Sequence, residues 1–109
     1  MSIERRRSER ANVNIKAELV SEDISYTGVL ENLSEDGMFM KTAPVKHAKG
    51  FIPGTIYKLN IQKPHEETLN LSCEVVWFHT ETSSFGLIFR IGMKIINPPQ
   101  SYKELLEVL

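Results

Sequence analysis

The sequence has one cysteine, few aromatic residues (8%) and no apolar run long enough to cross a bilayer. Cys73 has no partner for an internal disulfide, and its place in an apolar alternation predicts a buried small hydrophobe in a cytoplasmic protein. No apolar segment follows the N-terminal arginines, so neither a signal peptide nor a membrane anchor is expected. A length of 109 residues predicts a single domain with one modest core.

Residue sets that carry catalysis are also missing. The three histidines, His47, His65 and His79, lie far apart in predicted loops, and no pair of ligating residues has metal-site spacing. Ser34 is not in a nucleophile elbow, and no glycine-rich phosphate loop precedes a helix. The sequence therefore predicts a protein that is not an enzyme and that has neither a metal nor a cofactor.

The charge is unevenly distributed. Residues 1–12 carry four arginines and two glutamates, which gives this segment a net charge of +2 within a chain whose net charge is −1. A protein that grips long nucleic acid usually spreads basic residues over a face. A short basic arm, polar and without periodicity, favours a compact anionic partner over a nucleic acid polymer.

The rest of the chain alternates apolar and polar residues with a period of two, which is typical of half-buried strands. Six such segments, separated by turn signals and followed by one helix, predict a mainly β fold in which a small antiparallel barrel buries the apolar faces. We expect a flexible arm over 1–12, the barrel over 13–96 and a helix over 100–109. Gly28 indicates a bulge or a close backbone approach within the second strand.

Some finer features follow from the same pattern. Residues 79–84 are predicted to be a polar turn before a strand that begins at Phe85. Trp77, Phe85 and Phe89 are predicted to lie in the core, which weakens a rival interpretation, an oligonucleotide-binding barrel with an aromatic stacking face. At the end of the chain a capping box predicts the helix start and an apolar stripe predicts its docking face; the residues are Ser101 and Glu104, then Tyr102, Leu105, Leu106 and Leu109.

One turn holds more than a turn requires. Asn32, Ser34 and Gly37 fall in Asn-Leu-Ser-Glu-Asp-Gly, between the predicted second and third strands. Asn, Ser, Asp and Gly suffice for a hairpin connection. The same residues also put an amide, a hydroxyl and a bare backbone at one end of a sheet, which suits a polar ligand with phosphates. Both interpretations stay open on this stretch alone.

Arg6 and Arg10, with three residues between them, precede this stretch by one predicted strand pair. The order Arg-xxx-Arg, then Asn-x-Ser-x-x-Gly, resembles the PilZ domain, the bacterial receptor module for the second messenger cyclic di-GMP. The resemblance covers nearly the whole chain as a single domain, 1–109. It includes a tryptophan-bearing strand before a glycine-containing last strand, and the closing helix.

The resemblance implies a cyclic di-GMP site made of Arg5, Arg6, Arg10, Asn32, Ser34 and Gly37. Guanidinium groups at 6 and 10 would grip phosphate and guanine, as their planar fork allows. Arg5 precedes the motif, where the family's residue influences whether one ligand or a stacked pair is bound. Asn32 would hydrogen-bond guanine, although its amide is a neutral acceptor, and Ser34 would hydrogen-bond the ligand. Gly37 would permit close approach of the backbone.

The function implied is a receptor that orders its arm around cyclic di-GMP and signals to a partner protein, or through dimerisation, in control of motility, biofilm or exopolysaccharide. The alternative is a ligand-independent adaptor in pilus or flagellar machinery. Neither polymeric nucleic acid nor membrane is an expected partner.

Overall fold

The structure, a computed structural model, describes residues 11–22, 24–46, 50–63 and 67–109. Six antiparallel strands and one helix follow one another along the chain: β1 Ala11–Val20, β2 Ser25–Leu33, β3 Gly37–Thr42, β4 Ile56–Ile61, β5 Leu69–Ser83, β6 Gly86–Ile96 and α1 Gln100–Glu107. The strands close into a barrel in the order β1-β2-β3-β6-β5-β4. The predicted mainly β barrel with a closing helix is confirmed.

Closure explains why the alternating pattern can be recognised in the sequence. A barrel has one inner and one outer face, so every strand must alternate between them. The inner face is filled by aliphatic side chains, among them Leu19, Leu30, Leu59, Val75 and Ile91, none of which is exposed. The basic arm adjoins this barrel where β1 begins, at Ala11, two residues before the predicted boundary.

An aromatic cluster completes the core at one side. Phe51, from the segment before β4, packs with ring centroids 4.9 Å from Tyr26, 5.2 Å from Phe89 and 5.7 Å from Phe78. Cys73 is also fully buried, and burial raises the pKa of its thiol to about 12. It is therefore a small core hydrophobe, as predicted, and not a reactive thiol.

The predicted approach at Gly28 is present. A Cβ at this position would lie 2.2 Å from the Lys41 carbonyl oxygen, so β2 and β3 come closer here than any side chain would allow. The register between these two strands shifts further along, between Leu30 and Asn32, where Glu31 is the extra residue.

The predicted turn over 79–84 is wrong. β5 continues to Ser83, and the chain reverses over Ser84 and Phe85 before β6 starts at Gly86. Ser83 fixes this reversal, because its hydroxyl donates to the Gly86 carbonyl at 2.8 Å and accepts from the Phe85 amide at 3.1 Å. The end of this hairpin is exposed on both sides, so its polar residues could be taken for a turn.

Two of the three aromatic residues assigned to the core are outside it. Phe89 is buried as predicted, but Phe85 is 80% exposed at the hairpin tip and Trp77 is 44% exposed. Trp77 departs from the alternation because the β5–β6 register shifts between Val75 and Trp77. The shift inserts one extra residue, Val76, so that Trp77 emerges on the outer face.

The helix docks as expected but begins differently. Its N-cap is Pro99, in an extended conformation, and no side chain caps it, so the predicted Ser101–Glu104 capping box is absent. The Pro99 carbonyl accepts hydrogen bonds from the Tyr102 and Lys103 amides. Tyr102 and Leu105 are buried, whereas the helix ends at Glu107 and leaves Leu109 half exposed.

Candidate ligand-binding site

The turn between β2 and β3 is fixed by its own hydrogen bonds. The Ser34 amide donates to the Gly37 carbonyl at 2.9 Å. The Ser34 hydroxyl donates to the same carbonyl and accepts from the Gly37 amide, both at 3.2 Å. Ser34 is only 5% exposed. Its hydroxyl therefore stabilises the turn.

Gly37 also has a structural reason. It pairs with Lys94 of β6, and a Cβ at Gly37 would lie 2.4 Å from the Met93 carbonyl oxygen. A backbone oxygen cannot move away as a side chain can, so any other residue would push β3 and β6 apart. The glycine is needed for strand packing at this point.

The closing helix is attached directly to this turn. The Tyr102 hydroxyl donates to the Ser34 carbonyl at 2.6 Å, and the Tyr102 side chain is fully buried. The Ile95 amide at the end of β6 donates to the Asp36 carbonyl at 3.1 Å. The turn is thus held from within, from β6 and from α1.

Asn32 lies on the outer face within a continuous row of residues. The strand register sets Asn12 opposite Asn32, Asn32 opposite Phe39, and Gly92 opposite both Phe39 and Trp77. The rings of Phe39 and Trp77 lie 5.2 Å apart and are tilted by 42°. The sequence interpretation missed this pair, which forms an outward-facing aromatic shelf beside the motif.

Gly92 gives the shelf its shape. A Cβ there would lie 2.2 Å from Nε1 of Trp77, so the indole rests directly on the glycine backbone. The shelf and the turn border one cleft of about 490 Å³, which Glu35, Asp36 and Lys94 also line. The described charged residues around it are two carboxylates and one ammonium, so this half of the site does not itself attract anions.

A network of ion pairs lies on the same face. Arg90 of β6 bonds Glu31 of β2 through Nη1 and Glu81 of β5 through Nε, each at 3.0 Å. Hydrogen bonding to Glu81, above all, raises the pKa of the Arg90 guanidinium. Arg90 pairs with Lys41 and His79 in the sheet, in the row next to the aromatic shelf.

Of the six predicted site residues, Asn32, Ser34 and Gly37 come together at one rim of the barrel. Arg5, Arg6 and Arg10 lie outside the described residues. In the ranges that the structure covers, no group of His, Cys, Asp and Glu side chains is arranged to hold a metal ion. Within the same ranges no helix is long and apolar enough to span a membrane.

Solved structures that resemble this chain include YcgR, a protein with a PilZ domain, and an inhibitor of motility. The PilZ domain of YcgR from Escherichia coli, with c-di-GMP, superposes with a TM-score of 0.71 at 11% identity, covering 94% of this chain and 86% of that one. A structure of YcgR from Escherichia coli in complex with c-di-GMP has a TM-score of 0.68 at 14% identity, covering 95% of this chain and 44% of that one. The Bacillus subtilis inhibitor of motility MotI gives 0.69 at 16% identity, covering 95% and 48%. At these identities the likeness shows the fold alone.

The sequence itself matches the PilZ domain family over residues 4–109. The chain therefore belongs to the PilZ domain family, whose members are binding domains. No curated protein sequence matches it. The chain spans less than half the length of the MotI chain and of the YcgR chain in the complex.

Proposed function

We propose that this domain binds cyclic di-GMP between its basic arm and the rim formed by Asn32, Ser34 and Gly37. The observation that carries the proposal is the register of β1. Ala11 pairs with Leu33, and Asn12 pairs with Asn32. Arg10 directly precedes Ala11 in the chain, so it is the sequence neighbour of a residue that is paired with the motif. Since an extended residue spans about 3.3–3.6 Å, the five steps from Ala11 back to Arg6 span at most about 17 Å, which would allow the Arg6 side chain to extend toward the cleft.

The charge of the cleft gives the arm its part in binding. Two carboxylates and one ammonium among its described lining residues leave it without the cations that a dianionic ligand needs. Arg6 and Arg10 would supply them, by charge-assisted hydrogen bonds to phosphate and guanine. The aromatic shelf of Phe39 and Trp77 would offer a surface on which a guanine base can stack, as bases do on aromatic side chains elsewhere.

Signalling would follow from ordering the arm. Fixing the backbone of each arm residue costs roughly 1–2 kcal/mol, so several contacts to the ligand are required to offset it. The closed arm and ligand would then present a new surface to a partner protein or to a second copy of the domain. The likeness of fold to MotI, described as an inhibitor of motility, supports motility as one regulated process.

Isothermal titration tests the proposal. Wild-type protein should release heat with cyclic di-GMP at micromolar concentration, and the double variant Arg6→Ala, Arg10→Ala should not, while keeping its thermal midpoint. Arg6→Ala alone should also weaken binding, and Arg7→Ala is its matched control, because it removes one positive charge from the same segment outside the motif and should leave most of the binding intact. A wild-type protein that gives no heat, or a double variant that binds normally, would refute the assigned site. Amide hydrogen exchange over residues 1–12 should slow on ligand addition.

A ligand-independent adaptor is the second candidate. It is favoured by one finding, that Ser34 and Gly37 already have structural roles in closing the turn and packing β3 on β6. Those roles would preserve both residues even in a domain that binds nothing. A null titration together with a partner protein that binds equally well with and without cyclic di-GMP would favour the adaptor.

A further inference from the structure

Glu31 occupies an unusual place in β2. Leu30 pairs with Met40 and Asn32 pairs with Phe39, so Glu31 is the extra residue of a bulge. Leu30 and Leu33 on either side are fully buried, whereas Glu31 and Asn32 are half-buried. The bulge therefore sets two consecutive polar side chains on the outer face, beside the aromatic shelf.

The Glu31 carboxylate is held in place through one of its two oxygens. Its Oε1 accepts from Arg90 Nη1 at 3.0 Å, and the side chain is 34% exposed. Among the described residues Glu31 makes no other hydrogen bond, which leaves Oε2 available. Arg90 is itself fixed from the other side by Glu81, so the guanidinium orients Glu31 instead of following it.

Stability alone does not explain the ion pair between Glu31 and Arg90, because exposed pairs typically contribute only about 0–1 kcal/mol to the free energy of unfolding. Its charge is also adverse. Two carboxylates around one guanidinium leave a net negative group beside a site proposed for a dianionic ligand. If Glu31 had no contact with the ligand, removing its charge should strengthen binding.

We propose that Glu31 is a further ligand-binding residue, whose carboxylate accepts the N1–H and exocyclic N2 amine of one guanine of cyclic di-GMP, with Arg90 as its positioning residue. This inference rests on the proposed function. A carboxylate accepts two parallel donors, and guanine, unlike adenine, presents two donors side by side on its Watson–Crick edge. Asn32, next to it, offers only a neutral amide oxygen, so Glu31 supplies the charged acceptor that selects guanine.

Glu81 provides the matched control. Glu31→Gln and Glu81→Gln each remove one negative charge and one ion pair to Arg90, but only Glu31 adjoins Asn32. A hydrogen bond to a charged group predicts that Glu31→Gln weakens cyclic di-GMP binding about tenfold. Glu81→Gln should weaken binding much less than Glu31→Gln, because a glutamine oxygen can still accept from Nε of Arg90 and hold it in place. Equal or stronger binding by Glu31→Gln would overturn the inference.

Cyclic di-IMP, in which hypoxanthine lacks the exocyclic amine, isolates the contact. Wild-type protein should prefer cyclic di-GMP over cyclic di-IMP, and Glu31→Gln should lose that preference. Arg90→Ala should reduce it and Arg90→Lys should partly restore it, a pattern that a purely structural ion pair would not give. An undiminished preference in Glu31→Gln refutes the contact while leaving the proposed function intact. A wild-type protein that binds neither nucleotide refutes both.

Discussion

The hydrogen bond from Tyr102 to the Ser34 carbonyl is the clearest link between the closing helix and the β2–β3 turn. Tyr102→Phe removes only the hydroxyl and keeps the ring in its buried position. Deleting one partner of a buried hydrogen bond leaves the other unsatisfied and costs about 1–2 kcal/mol. For a domain of this size that corresponds to a thermal midpoint lower by about 4–10 °C.

The measurement is thermal unfolding followed by circular dichroism, with Tyr57→Phe as the control. Tyr57 is half-buried in the aromatic cluster, and its hydroxyl makes no hydrogen bond within the described part of the chain. Its loss should therefore shift the midpoint much less. Amide exchange in α1 should be faster in Tyr102→Phe than in Tyr57→Phe. If the two variants melt together, the bond contributes nothing and α1 is held by apolar packing alone.

Three further predictions concern single positions. Gly92→Ala should displace the indole of Trp77, since a Cβ would lie 2.2 Å from its Nε1, and the fluorescence of this single tryptophan should shift to the red; an unchanged spectrum would contradict the geometry. Burial raises the pKa of the Cys73 thiol from 9.0 to about 12, so its contribution to stability is complete below about pH 9 and falls by about 1.4 kcal/mol per pH unit above it. Denaturant titration at several pH values should find a smaller loss of stability per pH unit in Cys73→Ala. Equal losses in the two proteins would disprove this. Ser34→Ala should lower the free energy of unfolding by about 1 kcal/mol without ligand, because the hydroxyl closes the turn; unaltered stability would leave it only a ligand-binding role.

The fold could be predicted because a closed barrel imposes the same alternation on every strand. Leu19, Leu59 and Ile91, for example, are fully buried, as the alternation of apolar and polar residues around them predicts. The approach at Gly28 followed from the same reasoning, since a glycine inside a strand commonly marks a crowded backbone. Closure of the sheet could not be read from any one strand, but it was the solution that left no apolar face and no edge exposed.

What failed depends on contacts that alternation does not encode. Alternation along β5 predicts that Trp77 lies in the core. A bulge is a difference of one residue between paired strands, so the sequence of β5 alone does not show the register shift between Val75 and Trp77. The one available signal was the unbroken apolar run from Val75 to Phe78, where alternation ceases. Helix α1 was given a capping box that its sequence permits, but the rigid Pro99 before it already starts the helix.

For the site, the resemblance to the PilZ motif singled out Asn32, Ser34 and Gly37 as ligand-binding residues, and the structure gives Ser34 and Gly37 structural roles of their own. Ser34 closes the turn with its hydroxyl and anchors α1 with its carbonyl. Gly37 lets β3 approach β6. A short motif cannot separate binding from folding roles, because the same hydroxyl or bare backbone satisfies both. No sequence motif includes Glu31, Phe39 or Arg90. Only the strand register shows that these residues lie near the motif.

The positions of the bulges support the proposed binding face independently of any motif. One adds Glu31 to β2, another adds Val76 to β5, and a third shifts β1 between Asn12 and Ile15. All three occur near the row that runs from Asn12 to Trp77. A bulge costs ladder hydrogen bonds and is a known means of re-aiming side chains beside functional sites. Three of them at one level of a small barrel are difficult to explain by packing, which regular strands would serve better. The bulges in β2 and β5 each turn one additional side chain outward beside the aromatic shelf, which is where a planar, multiply hydrogen-bonding ligand would need them.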